Sequence, residues 1–145
     1  MARKIKVKLE PKYVMKVTRS AVGNEKLVYV ILISKQYKYT WGRSSIVYIG
    51  TTKRGVTRIS QSVAKKSDRV LKIHGVKEFS VRIITCAGRR KVKTWEKLER
   101  ALILTFRHKF GSVPLFNDRG KKHKWGDELD YFRQVRLTKI LESIN

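Results

Sequence analysis

At 145 residues, with 41% hydrophobic and 32% charged side chains, the chain is the size of one domain and can bury a core without disulfide or metal staples. It contains no run of about 18 apolar residues, which excludes a bilayer-spanning helix. Its 35 Lys and Arg against 11 Asp and Glu give a net charge of +24, a self-repulsion that an anionic partner would offset. Nucleic acid is the leading partner class, because phosphate neutralisation with counterion release rewards dispersed cations; an anionic membrane surface is the weaker alternative. The single cysteine, Cys86, leaves no internal disulfide and reads as cytosolic, and His74, His108 and His123 lack zinc-ligand spacing. The first eight residues alternate polar and apolar side chains, unlike a signal-peptide core, so a cytoplasmic protein is expected.

In chain order, Ile5 and Val7 alternate with lysines and residues 13–17 continue the β character, which predicts an N-terminal β extension over 1–25. Residues 27–33 form a nearly unbroken apolar, β-branched run that predicts a strand buried on both faces. Residues 35–45, KQYKYTWGRSS, read as a basic loop or an extended hairpin tip. A second strand is expected over 46–49, closed by Gly50, then a helix over 55–66 and a third strand over 79–85. Residues 93–110 carry Trp95, Leu98, Leu102, Phe106 and Phe110 at helical spacing, and Pro114 is expected to end that helix. A basic, glycine-containing loop over 118–126 precedes a last helix from about 127 to 144, opened by Asp127 and Glu128. The order β-β-α-β-α predicts a single α+β domain (a small α/β arrangement), a three-stranded antiparallel sheet flanked by helices. Its core spans about 26–117, with the basic loop and C-terminal helix at 118–145.

Four residues interrupt this frame chemically. At 100° per residue, Trp95, Leu102, Phe106 and Phe110 fall within an arc of about 80°, and Glu99 projects from inside it. A carboxylate there costs several kcal/mol unless it is ion-paired or bound to a metal, and both readings stand. Arg58 shares a helix face with Ser62 and Lys65, opposite Val56, Ile59 and Val63, so it either presents a guanidinium to phosphate or is a solvated charge. Tyr29 and Tyr48 lie on apolar strands, where a tyrosine is ordinarily a core residue. A base role requires cationic neighbours, because an unperturbed phenol ionises near pH 10.

Taken together, Leu27-Val28-Tyr29, Val47-Tyr48-Ile49-Gly50, Arg58, Glu99 and Asn117 resemble, in order and spacing, the five elements of the GIY-YIG nuclease superfamily. The resemblance covers about residues 27–117 and implies a phosphodiesterase acting on double-stranded DNA with one Mg²⁺ (or Mn²⁺). By that resemblance Glu99 would hold the metal and Tyr29 would take a proton from the attacking water. Tyr48 and Arg58 would position and neutralise the phosphate, and Asn117 would brace the site or touch the phosphate. Leu27 and Val28 replace the usual Gly-Ile, Thr51 stands where some members carry a lysine and Ser62 where others carry histidine or tyrosine, so Lys53 or Lys65 is the candidate for the missing cation. The longer segment 35–45 reads as a DNA-contacting finger through Lys35, Tyr37, Lys38, Tyr39, Trp41 and Arg43, or as a self-packed basic hairpin. Lys121, Lys122 and Lys124 in the following loop would grip the backbone. Cutting both strands with one site per chain implies a homodimer or higher oligomer, or sequential nicking. The competing reading is a non-catalytic basic nucleic-acid-binding protein of ribosomal or architectural type, which the charge fits equally well.

Overall fold

The apolar run that begins at Leu27 becomes the middle strand of the sheet, and everything else is arranged around it. The structure, a computed structural model, describes residues 3–12 and 26–145. Strand β1 (Leu27–Tyr39) pairs antiparallel with β2 (Gly42–Thr52) on one side and with β3 (Phe79–Ile84) on the other, giving the order β2-β1-β3. Because β1 is central and covered on both faces, its first seven residues are all buried, as a continuous apolar run predicts. Helix α1 (Gly55–Leu71) covers one face of the sheet through Ile59, Val63 and Val70. Helix α2 (Thr94–Phe110) covers the other through Leu98, Leu102, Phe106 and Phe110. Behind α2 lie α3 (Glu128–Tyr131) and α4 (Gln134–Ile144). The architecture is the expected small α+β fold.

Residues 35–45 take the extended-hairpin form of the two expected, β1 continuing to Tyr39 with Tyr37 and Tyr39 turned inward. Two features differ from expectation. Helix α2 ends at Gly111, in the left-handed conformation at φ 79°, whose N–H donates to Arg107 at 2.8 Å; Pro114 lies beyond the cap. The expected single C-terminal helix is two, broken by extended backbone at Phe132 and Arg133. Phe132 packs against the core there, while Glu128 is drawn inward, 2% exposed, by Arg100 Nε at 2.6 Å and the Gly126 N–H at 2.6 Å. Residues 3–12 contain no strand or helix, and the remainder of the expected β extension lies outside the described residues.

A one-residue register shift sets up the site. Ile31 pairs with Tyr48 but Leu32 with Ile46, so Val47 is extra and the two-residue alternation slips. Val47 and Tyr48 consequently both face α1, whereas Ile46 and Ile49 face α2.

Candidate active site

Tyr29 stands directly across the ladder from Gly50, with Tyr48 two residues before that glycine, so all three occupy one face. The phenol rings lie 5.7 Å apart, tilted at 43°. A Cβ on Gly50 would meet Tyr48 Cε1 at 2.5 Å and Tyr29 Cζ at 3.0 Å, so the bare backbone is what lets both rings close over the strand.

Helix α1 lays a polar stripe across these rings. The Tyr29 hydroxyl and Ser62 Oγ are hydrogen-bonded at 2.7 Å, and Lys66 Nζ donates to the same Oγ at 3.4 Å. That ammonium also sits 4.3 Å from the centroid of the Tyr48 ring, over its π face. Ser62 is therefore no member of a solvated face opposite Ile59; it stands only about 60° from Ile59 around the helix and points into the layer. Lys53 and Lys65, the cations expected near the phenols, are exposed, and Lys66 occupies that place. Burial first of all lowers the Lys66 pKa, Arg69 and Lys65 act the same way, and Asp118 opposes them. Arg58 is exposed one turn before Ser62, donating to Gln61 Oε1 at 2.9 Å.

Tyr48 is held firmly protonated. Burial pushes its hydroxyl well above the ordinary phenol range, and Tyr29, Glu99 and Asp118 add to the effect.

Glu99 is half-buried on α2, and no basic side chain among the described residues is ion-paired with it. Desolvation raises its pKa above the usual carboxylate range, with Glu96 reinforcing it and contact with the Thr51 hydroxyl and the Arg119 charge working against it. Glu99 offers one hard oxygen donor set, and Mg²⁺ commonly takes one or two carboxylates and keeps several waters. Among the described residues no group of three or more His, Cys, Asp or Glu could hold a metal by protein ligands alone.

Asn117 does something other than meet substrate. It is 8% exposed, its Oδ1 accepts from the Ile49 N–H at 3.0 Å, and its Nδ2 donates to the Ile49 carbonyl at 2.8 Å. With the Phe116 N–H donating to the Val47 carbonyl at 2.9 Å, the turn at 114–117 covers the outer edge of β2 as an additional strand would. The amide braces the strand that carries Tyr48.

The hairpin end is mostly self-packed. Tyr39 is 6% exposed, its ring edge-on to Phe106 at 5.0 Å, its hydroxyl donating to the Ile46 carbonyl at 2.6 Å and accepting from the Leu115 N–H at 3.1 Å. It cannot stack on a base, and Tyr37 is half-buried against it. Trp41, 68% exposed, faces outward with Lys35, Lys38 and Arg43. Lys121, Lys122 and Lys124 are likewise exposed, on a loop stapled to α2 by Arg107 and Arg100 through the carbonyls of Gly120, Lys121, His123 and Lys124.

Sequence reasoning passed over Ser62's neighbour Lys66, and also Asp118 and Arg119. The first was visible: Arg58, Ser62 and Lys66 recur at i, i+4 and i+8, one stripe of a helix. The acidic and basic pair after Asn117 carried no such signal. Comparison of the chain with protein-family models, curated proteins and solved structures finds no match. No helix among the described residues is long and apolar enough to cross a membrane.

Proposed function

We propose that the protein is a divalent-cation-dependent endonuclease of double-stranded DNA, a small member of the GIY-YIG type. The observation that carries this reading is Glu99: a half-buried carboxylate with no ion-pair partner among the described residues, close enough to act on Tyr48. A purely structural acid in a chain of net charge +24 has abundant cations to pair with, yet among the described residues none is ion-paired with Glu99. The pair of phenols stacked over Gly50 and the polar stripe of α1 support the same reading.

Glu99 is the residue that would hold Mg²⁺ or Mn²⁺. Bound there, the cation would stabilise negative charge on the phosphate and on the departing 3′ oxygen. The remaining roles belong to the chain's own side chains. Tyr29, as phenolate, takes a proton from the attacking water as its oxygen bonds to phosphorus and the bond from phosphorus to the 3′ oxygen breaks. Tyr48, kept neutral, donates a hydrogen bond to a non-bridging oxygen. Arg58, exposed at the solvent edge of α1, neutralises the same phosphate as charge builds. One site per chain cuts one strand per event, so a double-strand break needs two copies or two successive nicks.

Incubation of wild type and Glu99→Ala with supercoiled plasmid and Mg²⁺ tests the reading. Metal-dependent nicking that disappears in the variant supports it. Tight binding by both proteins with no cleavage by either would instead establish a non-catalytic nucleic-acid binder.

A further inference from the structure

We propose that Lys66, acting through Ser62, is the cation that makes Tyr29 a base; this rests on the assignment of Tyr29 as proton acceptor in the proposed hydrolysis. The geometry has a direction. An ammonium can only donate, and Lys66 Nζ lies 3.4 Å from Ser62 Oγ, which in turn lies 2.7 Å from the Tyr29 hydroxyl. When Tyr29 loses its proton, its oxygen can only accept. The serine hydroxyl then turns to donate to it while receiving from Lys66, and the chain of donors runs one way, from ammonium to phenolate. The protonated phenol has no equal claim on that arrangement, so the relay favours the ionised form selectively.

Lys66 is fixed for this task on its other side. Its ammonium rests over the Tyr48 ring at 4.3 Å, and the residue is half-buried. The remaining groups facing this cluster are few. From α1 come Arg58 one turn earlier, with Lys65 and Arg69 beside Lys66. From the loop after Asn117 comes Asp118, which acts on both Lys66 and Tyr48, and from α2 comes Glu99, which acts on Tyr48. Strand β3 offers only Val81 and Ile83 to the packing around Tyr29. Among these, Lys66 is the one cation in hydrogen-bond contact with the group that touches the Tyr29 oxygen. Lys66 and Ser62 are positioning residues, since neither reaches the reacting atoms.

The test follows the phenol itself. Protein labelled with ¹³C at tyrosine Cζ is titrated from pH 7 to 11, with Tyr29→Phe identifying the Tyr29 resonance. In Lys66→Met and in Ser62→Ala, Tyr29 should ionise at higher pH than in wild type, by about one pH unit. Lys66→Arg should retain most of the wild-type behaviour. Lys72→Met, which removes an equal charge from the exposed end of the same helix, should leave the curve where it was. Ser62→Ala suits a helix and settles the matter even where Lys66→Met folds poorly. An unmoved Tyr29 curve in Ser62→Ala overturns the relay, as does an equal displacement in Lys72→Met. The rising limb of the nicking rate against pH should move in the same direction in the same variants. A wild type that nicks while its Tyr29 curve ignores Ser62 defeats the relay alone; a wild type that never nicks defeats the nuclease reading, and the titration still decides the relay.

Discussion

At the scale of single residues, the site is assembled from groups that are poor choices for stability. Glu99 has its pKa raised by desolvation, so its neutral form is favoured in the folded state. The sign of the linkage follows: the stabilising neutral form is fully present below the unfolded value of about 4.3, and that contribution is lost as pH rises through the higher folded value. Glu99→Gln should therefore melt at a higher temperature than wild type at pH 7, by roughly 2–4 °C for each 1 kcal/mol of relieved desolvation. The difference should vanish near pH 3. Millimolar Mg²⁺ should raise the melting temperature of wild type and leave the variant unchanged, because only the carboxylate links binding to folding. Cleavage should fall at least about a hundredfold, the equivalent of several kcal/mol of charge stabilisation. Gly50 carries a second prediction. Its missing side chain is where the two phenols sit, so Gly50→Ala must displace a ring whose neighbours are buried. A destabilisation of about 1–3 kcal/mol by denaturant titration is expected. Loss of about a hundredfold in nicking should accompany it, because the displaced phenol no longer lines up with its partner. A variant with normal nicking would show that the stacked arrangement is irrelevant to the chemistry.

At the scale of elements, what could be foreseen was what depends on local periodicity. The unbroken apolar run at Leu27, the β-branched stretch at Phe79 and the heptad-like spacing from Trp95 to Phe110 each determine their own element, and each forms. The break at Phe132 depends instead on a contact across the fold, the pull of Arg100 on Glu128, which no local pattern encodes. The site divides in the same way. Tyr29, Tyr48 and Glu99 stand out because a polar group interrupts an apolar pattern. Lys66 and Asp118 matter only because α1 and the loop after Asn117 are packed beside β2. The hairpin makes the distinction testable. The strand ends on an inward-facing Tyr39, and the turn beyond it leaves Trp41 outward. Tyr39→Phe should strand the buried Ile46 carbonyl and leave the Leu115 N–H without its acceptor, costing about 1–3 kcal/mol of stability while leaving DNA affinity alone. Trp41→Ala should do the reverse, weakening binding to DNA with an unpaired stretch by about 1–3 kcal/mol in a fluorescence-anisotropy titration. Equal effects of both changes on affinity would mean that the hairpin end is simply part of the core.

For the whole molecule, the governing quantity is charge. Among the described residues five basic side chains are held in ion pairs, a small part of the 35 in the chain, so most of the cations face water. Each cation that meets a DNA phosphate releases condensed counterions, and the logarithm of the binding constant falls with the logarithm of salt at about 0.9 per contact. Lys35, Lys38 and Arg43 of the hairpin, Arg58 and Lys65 of α1 and Lys121, Lys122 and Lys124 of the 118–126 loop, all exposed, would together give a slope of roughly −7 if each meets a phosphate. The loop can be separated from the rest, because it is fastened to α2 through backbone carbonyls, and its lysine side chains are not part of that fastening. Replacing Lys121, Lys122 and Lys124 together with glutamine should leave the fold intact and reduce the slope by about 3. It should weaken binding similarly on every DNA sequence, since phosphate contacts position the protein without reading bases. An unchanged slope would remove the loop from the interface and leave the hairpin and α1 to carry the DNA across the site. A slope near zero in the parent protein would dismiss phosphate-dominated binding altogether, and with it the reason for so large a charge.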